Sequence, residues 1–97
     1  MPKGYWIAKM DVENAEAYER YRAANAKPLA DHGARFLVRG GDQEIREGTW
    51  QARTVILEFP SYADAIACYE SPDYQRAKDN RLGAALVNLV IVEGYDD

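Results

Sequence analysis

A chain of 97 residues with one cysteine and a net charge of −4 reads as one small domain spanning 1–97, held together without an internal disulfide. Its acidic balance argues against a protein that neutralises a nucleic-acid backbone. No apolar run nears the roughly 18 residues of a membrane span and no charged-then-apolar leader opens the chain, so the expectation is a cytoplasmic protein with neither membrane nor nucleic acid as partner. A domain this short buries only about two-thirds of its unfolded surface, and association with a second copy is a common remedy.

The stretch Gly4 to Val12 reads as a strand, with Tyr5, Trp6, Ile7, Ala8 and Met10 placing apolar groups on both faces. Both faces are therefore expected to be covered. Asn14 is a good N-cap for a helix from Ala15 to about Asn25. Tyr18, Tyr21, Asn25 and Leu29 fall at helical spacing on its inner side, with Glu16, Glu19, Arg20 and Arg22 on the solvated side. Pro28 predicts a kink or a second short helix, and Gly33 a left-handed cap. Arg35 to Arg39 is a second strand, interrupted by Gly40-Gly41, a pair that suggests a bulge or a close approach to the backbone. The pattern resumes through Glu44-Ile45-Arg46-Glu47, turns at Gly48-Thr49 and returns as a long strand from Trp50 to Phe59, an antiparallel hairpin with a broad tip.

After Pro60, Ser61 caps a helix and Asp64 stands at the capping-box position, with Tyr62, Ala65, Ile66 and Tyr69 as the inward stripe. Ser71-Pro72 opens another helix through Tyr74, Ala77 and Lys78, which Gly83 ends. Leu86 to Val92 is the last strand, apolar on both faces except at Asn88. Strand, helix, strand, strand, helix, strand is the split βαβ, ferredoxin-like order, an α+β fold with helices on one face of an antiparallel sheet. The other face, carrying either Trp6 and Ala8 or Val87, Leu89 and Ile91, then needs a cover. A second copy of the sheet supplies it most simply, so a face-to-face homodimer is expected.

Several segments in order carry a family resemblance: Gly4-Tyr5-Trp6-Ile7, Tyr18 and Tyr21, His32-Gly33, Arg35-Phe36-Leu37-Val38-Arg39-Gly40-Gly41 and Glu47-Gly48. Glu58-Phe59-Pro60-Ser61, Ala65, Tyr69, Ser71-Pro72, Tyr74, Lys78, Arg81, Asn88 and Glu93-Gly94 continue it. Over nearly its whole length the chain resembles domain-of-unknown-function family 1330, in the dimeric α/β-barrel superfamily. The resemblance implies the ferredoxin-like fold and the dimer, and little about chemistry. The wider superfamily includes cofactor-free monooxygenases, muconolactone isomerases and haem-degrading enzymes, but kinship of fold is a weak warrant for any of these activities.

One histidine and one cysteine, His32 and Cys68, do not make a metal site. Ser61 and Ser71 are caps rather than nucleophiles, and Gly40-Gly41 is too short for a phosphate loop, so neither metal nor cofactor is expected. What remains is a set of polar residues among apolar ones: His32, Arg39, Glu58, Tyr69, Arg81 and Asn88. His32 is either a cation favoured at a helix C-terminus or a general acid–base. Arg39 either pairs with Glu58 across the hairpin or forks onto a ligand carboxylate. Arg81 either complements the end of its helix or holds an anion, and Asn88 either sets strand register or faces a ligand. Tyr18, Tyr21, Tyr69 and Tyr74 read as core with hydroxyls at its rim, Trp6 and Trp50 as packing, and Cys68 as an inert thiol.

Two functional readings follow. In one, a metal-free enzyme acts on a small organic acid or aromatic compound in a cleft between sheet and helices. There His32 moves a proton, Arg39 or Arg81 holds the anionic group, and Tyr69 or Asn88 orients it. In the other, a non-catalytic dimer binds a metabolite or a protein, and the same residues form a structural hydrogen-bond network.

Overall fold

A computed structural model describes residues 2–95. The elements are β1 (Gly4–Val12), α1 (Ala15–Asp31), β2 (Arg35–Arg39), β3 (Arg53–Phe59), α2 (Tyr62–Glu70), α3 (Pro72–Asp79) and β4 (Ala85–Glu93). The strands form one antiparallel sheet in the order β2-β3-β1-β4. Among the described residues no helix is long and apolar enough to cross a membrane.

The core lies on the helix-covered face of this sheet. Trp6 pairs with Leu57 and with Ile91, and Ala8 with Val55 and Leu89, so these side chains project to one side together. Trp6 stands at the centre, tilted against Phe59 at 5.0 Å and edge-on to Tyr74 at 4.9 Å and Tyr69 at 5.8 Å between ring centroids. Its indole Nε1–H donates to the Ala65 carbonyl at 2.9 Å, which fastens α2 to β1. Both alternatives for the uncovered face are corrected by this register. Trp6 and Ala8 lie with Val87, Leu89 and Ile91 beneath the helices, while Tyr5, Ile7, Ile56, Leu86, Asn88, Val90 and Val92 occupy the open face.

The caps form as expected. Asn14 accepts from the Ala17 N–H at 3.1 Å, Ser61 from Asp64 at 3.0 Å and Ser71 from Tyr74 at 3.2 Å. The Ser61 hydroxyl also donates to the Asp64 carboxylate at 2.9 Å. Gly33 takes the left-handed conformation that ends α1.

Three expectations need correcting. First, α1 is one helix through Pro28 to Asp31. Proline removes one hydrogen bond here, but it is buried in the last turn, where its carbonyl accepts from the His32 N–H at 3.2 Å and the Cys68 thiol at 3.5 Å. Second, β3 begins at Arg53 rather than Trp50, and Glu44 to Glu47 form no strand. Side chains take over the ladder's work there: Gln43 donates to the Gln51 and Ala52 carbonyls at 2.8 and 3.1 Å, and Asp11 accepts from the Ala52 N–H at 2.9 Å. Third, α2 buries Ala65 and Cys68, while Ile66 and Tyr69 are half-buried and Tyr62 faces solvent.

The tightest backbone approach is at Gly4, where a Cβ would lie 2.5 Å from the Ser61 carbonyl oxygen and 2.7 Å from the Tyr62 Cα. Neither atom is the end of a flexible side chain, so strand and helix must separate to admit a methyl group. Gly4→Ala is expected to lower stability by about 1–3 kcal/mol, the usual range for overpacking. Gly41→Ala, with nothing within 4 Å of its added Cβ, should stay within about 0.5 kcal/mol of the parent. Urea unfolding of both variants checks this, and equal stabilities would remove the close-packing argument.

Candidate functional site

A β-bulge creates the site. Phe36 pairs with Leu57, but Val38 pairs with Ile56 and Arg39 with Val55, leaving Leu37 as the extra residue. Simple alternation would send Phe36 and Arg39 to opposite faces. The bulge turns both toward the helices, with the Arg39 guanidinium carbon 4.1 Å from the centroid of the Phe36 ring. Arg53, two residues before Val55 on β3, projects to the same side. Its guanidinium lies where a side chain on Gly40 would have to be, which accounts for a glycine with φ of +72° at that position. The close approach expected at the glycine pair is therefore made by Arg53.

From the helical layer α1 contributes Tyr18, Tyr21, Arg22 and Asn25, and the turn after α3 contributes Arg81. With Trp6, Met10, Phe36, Arg39, Arg53 and Val55 these residues line a cavity of about 40 Å³ between sheet and helices, room for about three waters or one small polar group.

Its electrostatics are one-sided. Four guanidinium groups, Arg22, Arg39, Arg53 and Arg81, line the cavity, and among the described residues no carboxylate does. Of these four, Arg22 alone has a carboxylate partner among the described residues, Glu19 at 2.7 Å. Arg81 lies 4.9 Å from the Tyr21 ring centroid and donates to the Tyr74 hydroxyl at 3.5 Å, and Tyr74 in turn bonds the Tyr21 hydroxyl at 2.7 Å. Burial pushes the Tyr74 phenol well above its ordinary range, Tyr21 adds to the shift and Arg81 opposes it, so this phenol stays protonated. Burial also raises Tyr18, helped by Tyr21 and opposed by the charges of Arg53 and Arg81. The Tyr18 hydroxyl donates to the Met10 sulfur at 2.9 Å. The Arg53 Nε–H is buried without a hydrogen-bond partner among the described residues, an expensive state for a cationic donor.

The six residues singled out from the sequence do not form one cluster. Arg39 and Arg81 lie on the cavity. Tyr69 packs against Trp6 and Tyr74 behind it, with the Lys78 ammonium 5.3 Å from its ring centroid. His32 caps α1, its Nδ1 2.9 Å from the Pro28 carbonyl oxygen, and does not line the cavity. Glu58 and Asn88 are on the open face of the sheet. Glu58 bridges to Arg35 at 3.4 Å and accepts from the Tyr5 hydroxyl at 3.3 Å. The expected Arg39–Glu58 pair is thus replaced by Arg35–Glu58, because those two are in register and the bulge turns Arg39 away. Asn88 donates to the Gln51 side chain. Arg53 was not anticipated, though the glycine pair opposite it was its trace. Arg22, expected in solvent, is half-buried at the cavity. Among the described residues no group of three His, Cys, Asp or Glu is placed to hold a metal ion.

Four antiparallel strands in this order with helices on one face define a ferredoxin-like α+β protein. Residues 3–95 match the family described as domain of unknown function DUF1330, and the chain belongs to it. No curated protein matches the sequence. Among solved structures it is similar to a protein of unknown function from Rhodopseudomonas palustris, at TM-score 0.77 and 18% identity over 99% of this chain and 85% of that one. A dimeric ferredoxin-like protein of unknown function from Jannaschia superposes at TM-score 0.66 and 19% identity, over 94% of this chain and 98% of that one. A cofactor-independent oxygenase from Streptomyces nogalater does so at 0.64 and 9% identity, over 100% and 97%. Similarity at these identities establishes the shared fold.

Cys68 is fully buried in the core, and burial pushes its thiol from 9.0 up to about 12. The unfolded thiol ionises near 9 and the folded one does not, so the stability this residue contributes is complete below pH 9 and is lost as pH rises toward 12. The raised phenols of Tyr18 and Tyr74 act with the same sign from about pH 10 upward. Urea unfolding should show stability declining above pH 9, with a shallower slope between pH 9 and 10 in Cys68→Ala. An identical slope in the variant would show that the thiol is not shifted.

Proposed function

We propose that this protein is a homodimer that binds a small organic acid by its carboxylate, which enters the arginine-lined cavity between the sheet and α1. One observation carries the reading: four guanidiniums converge on a cavity that no carboxylate among the described residues lines. An anion relieves their mutual repulsion and accepts their forked donors, which suit a planar carboxylate. Aromatic rings at Phe36, Tyr18, Tyr21 and Trp6 line the same cavity and keep water from screening the pairing of carboxylate and guanidinium. Small carboxylates and phenols should raise the melting temperature. Saturation at 100 times the dissociation constant stabilises by about 2.7 kcal/mol, a rise of roughly 10 °C or more for a domain of this size. Arg39→Ala should abolish most of that shift. No shift with any acid or phenol would remove the proposal.

Catalysis on such an acid is the finer form of this reading. The Tyr18 and Tyr21 phenols and the guanidiniums are the groups available to hold negative charge developing on a substrate. His32 stands outside the lining, so a proton-transfer role for it requires a ligand that extends beyond the cavity. If His32→Gln retains binding and no turnover is found for any bound acid, the non-catalytic form of the reading stands.

The dimer rests on the open face. Val38, Ile56, Ile7 and Val90 are paired in turn across all strands, making an apolar row flanked by Leu86 and Val92. Leu86, Val90 and Val92 are 61%, 54% and 40% exposed, and soluble monomers rarely leave such a contiguous patch wet. A second copy laid sheet to sheet covers it, in keeping with the dimer described for the Jannaschia protein. Sedimentation at micromolar concentration should return twice the chain mass, and a monomer there would overturn the face-to-face arrangement.

A further inference from the structure

The cavity does not end at its four arginines. Met10, Tyr18, Arg22 and Arg53 also line a second, wider recess of about 350 Å³, whose remaining walls are Val12, Ala15, Glu19 and Ala52. The two spaces therefore share these four side chains as walls. The inner one is cationic and small; the outer one is bounded by aliphatic groups from the end of β1, the first residue of α1 and the start of β3. The outer wall is braced, because Asp11 accepts from the Ala52 N–H at 2.9 Å and Gln51 donates to the Leu86 carbonyl at 2.8 Å. Among the described residues Glu19 is the one carboxylate lining the outer recess, tied to Arg22 at 2.7 Å.

Resting on the proposed anion site, we infer that the ligand is a monocarboxylic acid with an unbranched or single-ring apolar tail, its head inside and its tail in the outer recess. Arg53 lines the inner space and has no carboxylate partner among the described residues, so its guanidinium is the donor placed to hold the carboxylate head. Arg53 borders both spaces, so a head held there directs the rest of the molecule outward past Met10 and Tyr18. An inner space of about 40 Å³ admits the carboxylate and little else, which sends the tail into the outer recess. The Glu19 carboxylate on the wall of the outer recess repels a second acidic group, so dicarboxylates are disfavoured.

The test is a titration of the full-length protein, followed by nitrogen–proton correlation spectra, with acetate, butanoate, hexanoate and adipate. The Arg53 Nε–H signal should move with every monocarboxylate. Affinity should tighten about three- to fourfold per methylene from acetate to hexanoate, and adipate should bind at least roughly tenfold more weakly than hexanoate, as expected for like charges brought together. Arg53→Lys keeps the charge without the Nε–H and should weaken every monocarboxylate about tenfold or more. Ala15→Trp fills the outer recess and should flatten the dependence on chain length. Anion binding that ignores chain length, or a chain-length dependence that Ala15→Trp leaves unchanged, overturns this inference and spares the anion site. Failure of every carboxylate to bind, acetate included, overturns both.

Discussion

The bond from the Trp6 indole to the Ala65 carbonyl governs how the two layers of this protein meet. A buried indole N–H needs an acceptor, and the one it takes belongs to α2. That requirement sets the height of α2 over β1, and the absence of a side chain at Gly4 lets Ser61 and Tyr62 come down to the strand. Phe59, Tyr69 and Tyr74 then close around the indole. With Tyr74 in place α3 is placed, and the turn that follows it brings Arg81 to the Tyr21 ring. The cavity is thus a by-product of how an indole is satisfied.

Clustered guanidiniums need compensation when carboxylates are scarce. Here aromatic faces provide part of it, Phe36 for Arg39 and Tyr21 for Arg81, an attraction of about 0.5–2 kcal/mol depending on exposure. Arg53 lacks even that at its Nε. The cavity is thus left with more cationic than anionic groups among the described residues. The two faces of the sheet differ: one carries the charged cavity, the other an exposed apolar row. The bulge at Leu37 is what assigns Arg39 to the first and leaves Arg35 with Glu58 on the second.

Much of the architecture was legible along the chain, from local chemistry. Asn14, Ser61 and Ser71 cap helices because their side-chain oxygens reach N–H groups three residues on. Gly33 ends α1 for the reason glycine usually does, its freedom to adopt positive φ. Errors fell where distant contacts outweigh local preference. Pro28 stays inside its helix because burial and the bonds its carbonyl accepts hold that turn. Residues 44–47 look like a strand but have no partner, and the segment is organised instead by Gln43, Trp50 and Thr54, with Trp50 donating to Thr54 at 2.9 Å and lying over Lys9.

The candidate site divides in the same way. Alternating apolar residues, cap positions and the order of elements determined a ferredoxin-like fold, since each depends on neighbours a few positions apart. Arg39 and Arg81 could be suspected as cations beside apolar runs. Which of the polar residues share a cavity was decided only in three dimensions. A single extra residue in β2 reverses the face of everything beyond it, and that shift has no local signature when the flanking residues are as ambiguous as Phe36, Leu37 and Val38. Arg22 and Arg53 are remote in sequence from each other and from Arg81, and they meet because α1 and the turn after α3 cross the same stretch of sheet. The sequence determined the layers; the register of one edge strand decided which charges the cavity contains.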